Sequence, residues 1–168
     1  MRFLQIGLGS QPEWNLAAER TILVNTAKDF LGHDGSCIFG RFIVSLIAQA
    51  AIQRAVLPAY ARTPTFAYID EAEDYFDQNI DRLVNQARKF KIGLVFSHQN
   101  LDQLSPSLRA SVLSSTSIKF AGGLSAKDAN VLDAEFRTPA DFLLRQKKHS
   151  SYTEFACYVK NFSPKALS

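Results

Sequence analysis

The residues in this sequence best suited to chemistry are two adjacent acids, Asp70 and Glu71, at the end of the apolar run Phe66-Ala67-Tyr68-Ile69. Such a run predicts a strand in the centre of a sheet, and the carboxyl end of a strand is where α/β folds bind ligands. An acid pair in that place suits nucleotide hydrolysis. The first carboxylate can hold the water shell of a Mg²⁺ ion, which takes few carboxylates and keeps several waters. The second can polarise an attacking water. The plainer alternative is a solvated helix cap after a buried strand.

Two further groups fit the same chemistry. Gln99 follows the next β-rich run, Ile92 to Ser97, and its amide can reach a γ-phosphate or the water attacking it; otherwise it is a loop glutamine in solvent. Arg88 opens the basic segment Arg88-Lys89-Phe90-Lys91 at a helix end, where cations complement the helix dipole by default. Its planar, permanently charged fork also suits the phosphoryl charge of a neighbouring subunit's nucleotide site.

Alternating β-rich runs and amphipathic helices position these residues, a pattern that predicts a mostly parallel sheet covered by helices. Thr21–Asn25 reads as a buried strand, residues 32–35 as a Gly-containing loop, and Ser36 to Leu57 as a long helix with Phe39, Phe42, Ile43, Leu46, Ile47 and Ala50 at helical spacing, stopped by Pro58. Strands follow at 65–69, 92–97, 117–121 and 154–159. A helix with Ile80, Leu83, Val84, Ala87 and Phe90 on one face lies between the second and third strands, and a short helix starts near Pro106 with Ser105 as its cap. The pairs Ser10/Glu13, Ser125/Asp128 and Thr138/Asp141 match the capping-box pattern and mark helices near 11–20, 126–135 and 139–145. No repeat, low-complexity tract or linker interrupts the chain, which reads as one domain.

Composition bounds the function. The 168 residues are 46% hydrophobic and 21% charged with a net charge of +3, which permits nucleic-acid contact without arguing for it. Thirteen phenylalanines predict a Phe-rich core. Cys37 and Cys157 are far apart, and His33, His98 and His149 form no local cluster, so no zinc site is expected and the thiols suit a reducing cytoplasm. The best apolar stretch, Phe42 to Ala51, is short and interrupted by Ser45 and Gln49, so no transmembrane segment or signal peptide is expected.

The segments Thr21-Ile22-Leu23-Val24-Asn25-Thr26-Ala27-Lys28-Asp29, Phe39-Gly40-Arg41-Phe42, Phe66 to Glu71, Gln86-Ala87-Arg88-Lys89, Gly93-Leu94-Val95 and His98-Gln99-Asn100 stand in an order that resembles the ATPases of conjugative type IV secretion systems, within the FtsK/HerA-like P-loop group. The resemblance runs from about Thr21 to Phe162. It implies a RecA-like P-loop NTPase core, or that core without its central phosphate-loop strand. It assigns Asp70 and Glu71 to the Walker B acids with Asp70 on Mg²⁺, Gln99 to the glutamine that reads the γ-phosphate, and Arg88 to an arginine acting across a subunit interface. The implied cofactors are ATP and Mg²⁺. The implied partners are further copies in a ring, a DNA or protein substrate and other secretion components, at the cytoplasmic face of a bacterial inner membrane.

The chain departs from that pattern in one respect: it holds no G-x-x-x-x-G-K-[ST] phosphate loop. The nearest substitute is Gly7-Leu8-Gly9-Ser10, after the apolar Phe3 to Ile6. The expectation is that the loop lies upstream in a longer ATPase and that this chain alone turns over little or no ATP. The alternatives are a non-catalytic interaction or oligomerisation module derived from such an ATPase, and a generic α/β domain with an acidic turn.

Overall fold

A computed structural model describes residues 21–76 and 80–168. The expected Gly7–Ser10 turn, the run before it and the helix near 11–20 lie outside the described residues. The chain divides into two compact units, the first ending at Ser111 and the second spanning Val112–Ser168. The division falls inside a helix, Pro106–Ser115, so no linker-like composition marks it.

In the first unit, helix α1 spans Lys28–Gln53 and breaks at Gly32 (φ 69°, ψ 176°), a conformation open in practice only to glycine. The expected loop at 32–35 is therefore a single-residue kink within a helix that starts earlier than its apolar spacing suggests. Its buried stripe is Ser36, Cys37, Gly40, Ile43, Ala50 and Ala51, whereas Phe42 is exposed. Gly40 explains the choice of face: the ring of Tyr75 lies where a side chain would stand, so α2 (Ala72–Tyr75) packs directly on the α1 backbone. The run Lys28–Val56, 29 residues containing an 18-residue window with a mean hydropathy of 1.6, is long and apolar enough to cross a bilayer by length and composition. The buried core helix of a globular unit meets the same test, and α1 buries one stripe against α2 and the next helix.

Strands β1 (Thr65–Ile69) and β2 (Ile92–Phe96) form a parallel pair, in register from Thr65↔Ile92 to Ile69↔Phe96. Helix α3 (Ile80–Gln86) and the 3₁₀ turn Ala87–Phe90 connect back to β2, burying Ile80, Leu83, Ala87 and Phe90 as their spacing predicts. Phe76 meets Phe96 edge-on with ring centroids 5.1 Å apart.

The continuous apolar run of β1 predicts burial on both faces. Instead its burial alternates, with Phe66 (63% exposed) and Tyr68 (74%) facing outward, and Val95 of β2 (46%), the register partner of Tyr68, is exposed as well. Thr21–Asn25 is not a strand; Val24 alone is buried, in an isolated bridge, while Ile22 and Leu23 are exposed.

The second unit pairs β3 (Ile118–Ala121) with β4 (Ala156–Val159), and the pairing is antiparallel. The expectation of a mostly parallel sheet fails here, because strand periodicity carries no information on direction. Helix α4 (Pro106–Ser115) precedes β3; its start is capped as expected, Ser105 Oγ accepting from the Leu108 N–H at 3.4 Å. Helix α5 (Ala126–Phe136) begins on Ser125, whose Oγ accepts from the Asp128 N–H at 3.1 Å, which is the hydroxyl half of the expected capping box. Thr138 does not cap α6 (Ala140–Leu144), whose N-cap is Pro139. Its own N–H donates to the Asp133 carbonyl and closes α5 instead. The fold class among the described residues is mixed α/β with short sheets, one of them parallel.

Candidate functional site

The parallel ladder continues beyond β1 and β2 and pins the acidic turn. Ser97 N–H donates to the Ile69 carbonyl (3.0 Å), and Ala72 N–H donates to the Ser97 carbonyl (2.9 Å). Asp70 leaves the strand exposed to solvent, and its Oδ1 accepts a short hydrogen bond from Ser97 Oγ and one from the Glu71 N–H at 3.1 Å. Two donors on one oxygen fix the carboxylate's direction. Ser97 thus acts as a positioning residue for Asp70, one that the sequence reading used only as the end of a strand.

Glu71 occupies the left-handed region (φ 50°, ψ 51°), a strain on the order of 1–2 kcal/mol for a residue with a Cβ. Its carboxylate sits 3.4 Å from Lys28 Nζ, which lies 3.0 Å from Asp74 Oδ2. The hydrogen bond to Asp74 raises the Lys28 pKa, desolvation opposes it, and the negative charges of Asp74 and Glu71 add to the rise. The segment carrying Lys28 is itself docked: Asn25 Oδ1 accepts from the Ala27 N–H at 2.9 Å, and Thr26 Oγ1 meets the Tyr75 hydroxyl at 3.0 Å. Lys28 is a site residue that sequence reasoning passed over. The signal was a lysine after a β-rich run, with nothing local to tie it to acids 43 and 46 positions away.

Gln99 is exposed, three residues past the end of β2 and on the same sheet edge as Asp70 and Glu71. Asn100 beside it starts the 3₁₀ turn Leu101–Gln103, its N–H donating to Gln103 Oε1 at 3.3 Å. His98 Nδ1, between Ser97 and Gln99, is buried without a hydrogen-bond partner among the described residues.

Arg88 lies elsewhere. It is exposed on the 3₁₀ turn Ala87–Phe90, which leads through Lys91 into the amino end of β2. Five strand residues at about 3.3 Å each put roughly 16 Å between that edge and the one bearing Asp70, so Arg88 does not join the acids of its own chain. Its turn is gripped from behind. The buried Arg54 donates to the Phe90 carbonyl (3.0 Å), the Thr63 carbonyl (2.9 Å) and Thr65 Oγ1 (2.6 Å). Arg62 donates to the carbonyls of Lys89 (2.7 Å), Arg54 (3.0 Å) and Leu57 (2.8 Å), and its guanidinium lies over the Phe90 ring. Burial lowers the Arg54 pKa, the desolvation penalty of holding a charge there.

Of the groups a nucleotide site needs, the acids and Gln99 share one edge and Arg88 stands at the other. The exposed Asp70 carboxylate, aimed by Ser97, is a hard oxygen donor suited to a water-mediated Mg²⁺ contact. The sequence holds no phosphate-loop lysine. No family model and no curated protein matches the sequence.

Proposed function

We propose that this chain carries part of the ATP-handling core of a ring-forming motor ATPase of the conjugative type IV secretion kind, with β1 and β2 as neighbouring strands of a RecA-like sheet. The observation that carries the reading is the convergence of Asp70, Glu71 and Gln99 at the carboxyl edge of two parallel strands in register. Asp70, held by Ser97 and the Glu71 amide, would hold Mg²⁺ through water; bound with ATP, that ion would supply charge neutralisation at the β- and γ-phosphate oxygens. Glu71 would orient the attacking water once released from Lys28, and Gln99 would read the γ-phosphate. Arg88, presented outward on a braced turn at the far edge, would serve the site of a neighbouring copy. A DNA or protein substrate, other secretion components and a place at the cytoplasmic face of a bacterial inner membrane belong to this reading through the resemblance alone.

A second reading, a non-catalytic docking module derived from such an ATPase, is favoured by two observations. Lys28 already engages Glu71, and Phe66, Tyr68 and Val95 leave one face of the β1–β2 pair open.

Calorimetry of the chain with Mg²⁺-ATP is expected to show no tight binding. A polypeptide joining this segment to a phosphate loop is expected to hydrolyse ATP, with Glu71→Gln lowering turnover about 10²–10⁴-fold. Turnover that survives both Glu71→Gln and Asp70→Asn would overturn the motor reading, and absence of any turnover in a folded, ATP-binding ring would favour the docking module.

A further inference from the structure

We propose that His33, Cys37 and Asp74 form a binding site for a borderline-soft divalent metal ion of the zinc type, separate from any Mg²⁺ at Asp70. One donor atom from each of the three residues lies within 4.8 Å of the other two. His33 and Cys37 stand one turn apart on the same face of α1, just past the Gly32 kink, and Asp74 reaches them from α2. The Tyr75 ring seated on Gly40 holds those two helices together.

The spacing suits coordination better than it suits a hydrogen bond. Cys37 Sγ is 3.7 Å from His33 Nε2 and 3.9 Å from Nδ1, so the sulfur lies beside the ring and points a proton well at neither nitrogen. Metal–sulfur and metal–nitrogen bonds of about 2.3 and 2.0–2.1 Å at a tetrahedral angle separate sulfur from nitrogen by about 3.5 Å. A rotation of the imidazole, which is exposed, closes that gap. Thiolate, imidazole and one carboxylate, with water in the fourth position, match a zinc-type ion and disfavour Mg²⁺, which requires oxygen donors in an octahedron.

Charge also fits. Lys28 and Arg41 are the cations near the thiol, and Asp74 and Asp34 are the anions. Asp74 already holds a cation, the Lys28 ammonium at 3.0 Å. A divalent ion replaces that partner at Asp74 while Lys28 keeps Glu71. Binding releases the Cys37 thiol proton to solvent, so one proton leaves as the metal–sulfur bond forms. The bound ion would fasten the start of α1 to the helix that directly follows Glu71, and so stiffen the turn bearing the acidic pair.

Titration of the reduced full chain with Co²⁺, followed by absorption, tests the site without any nucleotide, so its outcome is separable from that of the ATPase reading. The expected result is a near-ultraviolet thiolate-to-cobalt charge-transfer band with the visible bands of tetrahedral cobalt. Zn²⁺ should displace the cobalt and excess Mg²⁺ should not. The spectrum should vanish in Cys37→Ser and persist in Cys157→Ser. His33 is exposed, so His33→Ala should leave the fold intact by circular dichroism and weaken Co²⁺ binding by more than about tenfold. No charge-transfer band, displacement by Mg²⁺, or unchanged affinity in folded His33→Ala would each overturn the proposal.

Discussion

Replacing Arg54 by methionine keeps most of the buried stem and removes only the guanidinium, so it measures what the grip on the Arg88 turn is worth. The Phe90 carbonyl loses its bond to a buried charged donor, worth about 1.5–3 kcal/mol. The bonds to the Thr63 carbonyl and Thr65 Oγ1 are only partly buried, so water recovers part of them and each adds roughly 0.5–1 kcal/mol. Against this stands relief from burying a cation, the effect that lowers the Arg54 pKa. The balance is a destabilisation of about 2–4 kcal/mol, or a fall in Tm of roughly 5–15 °C for a chain of this size. Arg54→Lys should lose about half as much, because an ammonium cannot span three acceptors in a fork. Urea denaturation gives the global figure, and hydrogen exchange locates it. The Thr65 amide, which donates to the Lys91 carbonyl directly behind the turn, should lose protection, while the Asp128 amide at the α5 cap should keep it. A methionine variant within 0.5 kcal/mol of wild type (about the scatter of neutral surface changes) would refute the reasoning. It would mean that desolvation of the guanidinium cancels its hydrogen bonds.

Two further predictions concern Arg88 and Lys28. In a phosphate-loop-bearing parent, Arg88→Ala should abolish turnover, since a trans-acting arginine contributes on the order of 10³–10⁵ in rate, while ATP binding and stability stay near wild type. Mixing it with Glu71→Ala subunits should restore part of the activity, and stable mixed rings without rescue would leave Arg88 as a helix-end cation. Lys28→Met tests the ion pairs with Asp74 and Glu71. Because the folded-state pKa of Lys28 is raised above 10.5, its contribution is fully present below that value and is lost as pH rises through the folded pKa. The difference in urea midpoint between wild type and Lys28→Met should therefore be present near neutrality and shrink above the lysine range, and a pH-independent difference would discount the ion pairs.

The features legible in the sequence are those whose physics is local. Phe66–Ile69 forms a strand from aromatic and β-branched side chains, and the acids emerge at its end because nothing apolar follows. Ile80, Leu83, Ala87 and Phe90 declare one helical face. Ser125 caps α5 because the hydroxyl and the Asp128 amide are three residues apart. That β2 follows a helical crossover also made its parallel pairing with β1 readable, and with it the common edge of Asp70 and Gln99.

Tertiary structure alone decided the rest, and in each case the deciding contact spans a long stretch of chain. Ile118–Ala121 and Ala156–Val159 pair antiparallel because of how the helices between them return the chain, which no alternation of residues encodes. The buried face of α1 is chosen by Tyr75 against Gly40 rather than by the phenylalanines, whose spacing was equally helical. Lys28 becomes part of the acidic site, and Arg54 and Arg62 become the brace of the Arg88 turn, only when distant backbone carbonyls and carboxylates are brought to them. His33 and Cys37 were four residues apart in plain view, yet a third ligand atom came within reach only when α2 packed on α1, because a single helical turn offers two donors and a metal ion needs more.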